Sequence, residues 1–88
     1  MIEFFHVVVI SDSPRRAEFF CRERGLHPRR DVLVALAASS GREMEGARIH
    51  PAAEVHWLGH WQERPARRMF DALRRNQLKS YATLGMTA

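Results

Sequence analysis

Residues 4–25 read FFHVVVISDSPRRAEFFCRERG, an apolar run that turns through Ser-Asp-Ser-Pro into a charged stretch of helical spacing. Along the first part, Phe5, Val7 and Val9 alternate with Phe4, His6, Val8 and Ile10, so neither side of an extended chain is polar. A strand apolar on both faces belongs to the middle of a sheet covered on both sides. Ser13 is a good N-cap and Pro14 suits the first helical position. Ala17, Phe20 and Cys21 then share one helical face, while Glu18 and Arg22 pair at i, i+4. Gly25 is placed to end the helix in the left-handed conformation, with Leu26 as its hydrophobic follower. A strand followed at once by a helix implies a parallel crossover, and therefore an α/β fold.

The rest of the chain extends that frame. Residues 31–38, DVLVALAA, form a second run apolar on both faces after a short connector, His27-Pro28-Arg29-Arg30. Its shortness favours a strand. Residues 39–51 lose the pattern, and a single helical turn near Arg42 to Glu45 is all they suggest. Residues 54–61, EVHWLGHW, alternate: Val55, Trp57, Gly59 and Trp61 on one side, Glu54, His56, Leu58 and His60 on the other. Half-polar alternation marks a sheet edge. The first strand is the most apolar, so the expected sheet is parallel, three-stranded and ordered 2-1-3. Right-handed crossovers then put the first helix and the 39–51 connection on opposite faces. A last helix is expected from about Pro65 to Lys79, with Ala66, Met69, Phe70 and Leu73 as its apolar stripe. The whole reads as one Rossmann-like domain over residues 1–80, with 81–88 as a mobile tail.

Composition bounds the rest. The 88 residues are 45% hydrophobic and 27% charged, the balance of one small folded domain. A chain of this size buries only about 60–65% of its unfolded surface, which makes a thin core. No apolar run reaches the roughly 20 residues that span a bilayer. The start lacks the pattern of a secretory signal, so a cytoplasmic protein is expected. Cys21 is the only cysteine, which rules out an internal disulfide and reads as a small buried hydrophobe. Lys79 is the only lysine among 14 basic residues in a chain of formal charge +4. Arginine richness of this kind also follows from a high-GC genome.

Three places carry potential chemistry. At the first strand–helix turn, Ser11, Ser13, Arg15 and Arg16 surround free helix amides, which favour a phosphate or nucleotide anion. Asp12 competes there with its own carboxylate, and neither a G-x-x-x-x-G-K-[ST] nor a G-x-G-x-x-G motif is present. On the edge strand, Trp57 and Trp61 either floor the last helix or form an exposed aromatic patch for a protein partner. Leu78, stranded among the charges of the last helix, joins them as an interface candidate. Self-association through this edge, or through Phe4 or Phe5, would supply the cover that three strands lack. On the last helix, Arg67, Arg68, Arg74, Arg75 and Lys79 make a basic face that either follows a nucleic-acid backbone or is simply solvated. His56 and His60 have metal-ligand spacing only if helical; along a strand they stand roughly 13 Å apart. No metal, cofactor or catalytic set is therefore expected.

The succession VVVISDSPRRAEFFCRERGL, DVLVALAAS, and GREMEGARI crossing into EVHWLGHW resembles small α/β proteins of actinobacteria and their phages. It is also similar to the parallel-sheet half of a RecA-like P-loop domain. The resemblance covers residues 4–75 and implies a compact Rossmann-like protein, often phage-encoded, with no assigned activity. It transfers no catalytic residue, because Ser11, Asp12 and Ser13 stand where a glycine loop and lysine would hold phosphate. A non-enzymatic, self-associating protein-binding module is the leading expectation, with nucleic-acid binding and anion binding as alternatives.

Overall fold

The computed structural model describes residues 4–28 and 30–85. Strand β1 (Phe5–Ser11) leads into helix α1 (Pro14–Glu23), strand β2 (Leu33–Leu36), two short 3-10 turns (Ala37–Ser39 and Arg42–Met44), strand β3 (Ile49–Leu58) and helix α2 (Glu63–Leu84). The strands lie in the order β2-β1-β3, and β1 runs parallel to both neighbours. This is the expected three-stranded α/β arrangement.

Its local causes are the expected ones at α1. The Ser13 hydroxyl accepts from Arg16 N–H at 3.3 Å, and Pro14 opens the helix. Gly25 closes it at φ +66°. Leu26 N–H donates to Cys21 C=O at 2.8 Å and Gly25 N–H to Arg22 C=O at 3.2 Å, the paired bonds of a Schellman motif.

Two cores flank the sheet. Val9 and Val32 meet Ala17 and Cys21 on the α1 side. Val8, Ile10, Ala35 and Ile49 meet Met44, Met69 and Leu73 on the α2 side. The connection carrying Met44 therefore lies opposite α1, as right-handed crossovers require. Burial pushes the Cys21 thiol above its ordinary pKa, which favours its neutral form in the core.

Several boundaries differ from those expected. β2 is confined to Leu33–Leu36, because Ala37 begins a 3-10 turn that continues into left-handed Ser40 and Gly41. Upstream, Asp31 is drawn out of the strand. Its Oδ2 accepts from His27 N–H at 2.9 Å, and that bond, aided by Arg30, holds the carboxyl below its ordinary pKa. β3 starts at Ile49 instead of Glu54, with an irregularity between the Phe5–Ile49 and Val7–Glu54 pairs. It ends at Leu58 because Gly59 leaves the strand at φ +90°. α2 continues past Lys79 to Leu84, so residues 81–84 of the expected tail are helical, and residues 86–88 lie outside the described residues. The buried stripe of α2 is Met69, Leu73, Asn76 and Ser80. Phe70, expected in that stripe, is 51% exposed, because one residue rotates it 100° away from Met69. Among the described residues no helix is long and apolar enough to cross a membrane.

Candidate functional site

The strand–helix turn brings Ser11, Ser13, Arg15 and Arg16 to the carboxyl end of the sheet, but it engages most of them internally. Ser11 Oγ donates to Ser13 C=O at 2.7 Å and accepts from Ser13 N–H at 3.2 Å. Ser13 Oγ caps α1. Asp12 sits across the gap to β3: its Oδ2 accepts from His60 N–H at 3.2 Å, and its Oδ1 lies 3.2 Å from Arg16 Nε. A Cβ on Gly59 would overlap that carboxyl, so glycine is what lets Asp12 close over the end of β3. At the place where open α/β sheets bind anions, the Asp12 carboxylate thus turns to β3 and the Arg16 side chain, while Ser13 meets the α1 amide. Beside it runs an open groove of about 670 Å³ containing Arg15, Phe19, Phe20, Arg24 and Leu58. Arg24 stacks over Phe20 with its guanidinium carbon 4.7 Å from the ring centroid. Among the described residues neither Arg15 nor Arg24 has an acidic partner, so both cations are left to the groove.

The edge strand gathers aromatics. Trp57 and Trp61 meet edge to face, with centroids 5.4 Å apart and planes at 85°. They have different fates. Trp61 is half-buried on the α2-side core, and its Nε1–H donates to Leu58 C=O at 2.9 Å. Trp57 is 39% exposed and shares a shallow depression with Ala66, Arg67 and Phe70. Of the two tryptophans, Trp61 therefore packs on the core beneath α2 and Trp57 stays partly exposed. Phe70 is the residue that helical periodicity hid, and it extends the patch onto α2. Leu78 is also exposed, but it lies eight residues further along α2, about 12 Å by helical rise. On the opposite face of β3, His56 lies over Phe20 with centroids 4.9 Å apart, and its Nε2 lies 3.2 Å from Glu54 Oε2.

The basic face of α2 contains all five residues expected there, Arg67, Arg68, Arg74, Arg75 and Lys79, each exposed. Arg64, also exposed, lengthens it. Arg67 approaches Glu63 at 3.7 Å. Within Glu63–Leu84 the six basic residues outnumber Glu63 and Asp71 by four, which equals the +4 of the entire chain. The remaining eight basic and eight acidic residues cancel, so the net charge resides on this helix. Arg75 and Lys79 flank a further cavity of about 500 Å³ together with Arg48 and Thr83.

Histidines pair without forming a metal centre. His6 stacks on His50 with centroids 4.8 Å apart, and among the described residues no three His, Cys, Asp or Glu side chains are grouped to hold an ion. His56 lies on β3 whereas His60 lies beyond its end. No family model matches the chain, and neither does any curated protein or solved structure.

Proposed function

We propose that this chain is a non-enzymatic binding module that engages protein through the outer edge of β3 and the aromatic patch beside it. The carrying observation is the juxtaposition of Trp57 on β3 and Phe70 on α2, 39% and 51% exposed, beside a strand that among the described residues has a sheet neighbour on one side only. Large aromatics exposed together are the usual anchors of protein interfaces, and an unpaired strand edge supplies main-chain hydrogen bonds for them to orient. The cytoplasm is the compartment we assign to it, consistent with a single buried, neutral thiol.

The double substitution Trp57→Ala/Phe70→Ala removes the patch and leaves the buried core untouched. Light scattering and affinity capture with the immobilised protein are expected to show association in the wild type and a loss of about 30-fold or more in the variant, the scale of one truncated hot spot. Unchanged association in the variant contradicts the proposal.

A second reading draws on the charge of α2. A helix that holds the whole net charge of its chain on one solvent face matches the electrostatic footprint of a nucleic-acid-binding module.

A further inference from the structure

We infer that the occupant of the β3 edge is a second copy of this chain, paired antiparallel about a two-fold axis at Val55. The inference deepens the proposed function and rests on it.

The backbone defines which groups are available. Leu58 turns its carbonyl toward β1, where it accepts from Asp12 N–H at 3.2 Å. Backbone groups alternate sides along a strand, so Ala53, Val55 and Trp57 turn their N–H and C=O groups outward, where the sheet has no further strand among the described residues. Pro51 offers no N–H, and Gly59 departs from the strand at φ +90°. These two residues bound the segment 52–58, whose central residue is Val55. Only an antiparallel register centred on Val55 pairs that whole segment with itself.

The side chains favour the same register. With Val55 opposite the partner's Val55, Ala53 faces the partner's Trp57 and forms about six main-chain hydrogen bonds together with the other outward groups. Glu54 then faces the partner's His56 at a non-hydrogen-bonded position, where side chains approach most closely. Glu54 Oε2 already lies 3.2 Å from His56 Nε2 of its own chain. Two such pairs meet as an alternating square, each carboxylate between two imidazoles. Moving the centre to Glu54 would oppose two carboxylates, and moving it to His56 would set Glu54 against the partner's Leu58. Charged residues on an edge normally discourage pairing; here they permit one pairing and oppose its neighbours. The axis is perpendicular to the sheet, so Trp57 and Phe70 of both copies line the seam on the α2 side. The product is one continuous sheet of twice three strands.

The test separates pairing between copies from pairing within one. Glu54→Arg/His56→Arg makes the edge positive and His56→Glu makes it negative, so neither is compatible with itself, while the two are compatible with each other. At about 100 μM, enough to populate a dimer of micromolar Kd, light scattering should give twice the chain mass for the wild type. Each variant alone should associate about 10-fold more weakly or worse, and an equimolar mixture should recover the dimer. Circular dichroism verifies that both variants fold. Should either variant unfold, Val55→Cys replaces them: it lies on the axis, with Cα atoms about 5.5 Å apart, and should oxidise to a linked dimer, whereas Trp57→Cys should not. A mixture that stays monomeric, variants that dimerise alone as the wild type does, or linkage at Trp57→Cys instead of Val55→Cys overturns the inference. A monomeric wild type also overturns it. If such a monomer still holds another protein in a manner lost in Trp57→Ala/Phe70→Ala, the proposed function survives without the second copy; if it holds none, both fall.

Discussion

Asn76 shows how much a single buried side chain holds in place. Its Nδ2 donates to Met44 C=O at 2.6 Å and to Ala47 C=O at 2.7 Å, and its Oδ1 accepts from Ile49 N–H at 3.2 Å. One amide thus ties α2 to the irregular crossover and to the first residue of β3, using three of the four bonds a carboxamide can make. Asn76→Ala leaves three main-chain groups in or near the core without partners. We expect a loss of about 2–4 kcal/mol, read as a lower urea midpoint at unchanged slope, a large share of the stability of so small a domain. An unchanged midpoint would show that water replaces the amide without cost. Asn76 was legible in principle, since it lies on the same helical arc as Met69 and Leu73, and a polar residue within an apolar arc marks a buried hydrogen-bond partner. The closing of Asp12 over Gly59 was legible only in part. Asp12 stood out as a competitor for the helix amides, but nothing local shows that β3 would bring Gly59 and His60 to it from 47 and 48 residues away.

Individual elements were readable where both of their ends carry chemistry. β1 and α1 combine a largely apolar strand with Ser13, Pro14 and Gly25, and each of these three residues acts as its type predicts. β2 and β3 had readable centres and unreadable ends, because DVLVALAA stays apolar through its 3-10 turn and an irregular pairing admits Ile49 ahead of the alternating segment. α2 was harder still: Phe70 is apolar yet exposed, and Asn76 is polar yet buried, so a stripe drawn by hydrophobicity alone misplaces both. Its basic face yields a prediction at this scale. Arg64, Arg68, Arg75 and Lys79 follow one line along the helix, spanning about 22 Å by helical rise. If α2 binds duplex DNA through about four phosphates, affinity should fall roughly 100-fold between about 50 and 200 mM salt. Arg68→Glu/Arg75→Glu should abolish binding in an electrophoretic mobility assay. No binding by the wild type at about 50 mM salt removes the second reading.

At the scale of the whole molecule, the fold divides its surface by chemistry. At the carboxyl end of the sheet, where α/β proteins usually hold small ligands, Asp12 bonds His60 N–H over Gly59 and Ser13 caps α1, beside an open groove. The net charge sits on α2. The outer edge of β3 keeps its main-chain groups, its exposed aromatics and a self-complementary acid–imidazole pair. In the proposed pairing a thin three-stranded core gains cover from the second copy on that edge, which would link the stability of the domain to its association. Hydrogen exchange resolved at single amides tests this most directly, because Val55 and Trp57 N–H groups point away from β1 and acquire acceptors only through a partner strand. Both amides are expected to exchange slowly in concentrated wild-type protein and to become fast on dilution, while the amides of β1 remain protected throughout. Fast exchange at Val55 and Trp57 at every concentration, with β1 still protected, would contradict pairing at the β3 edge.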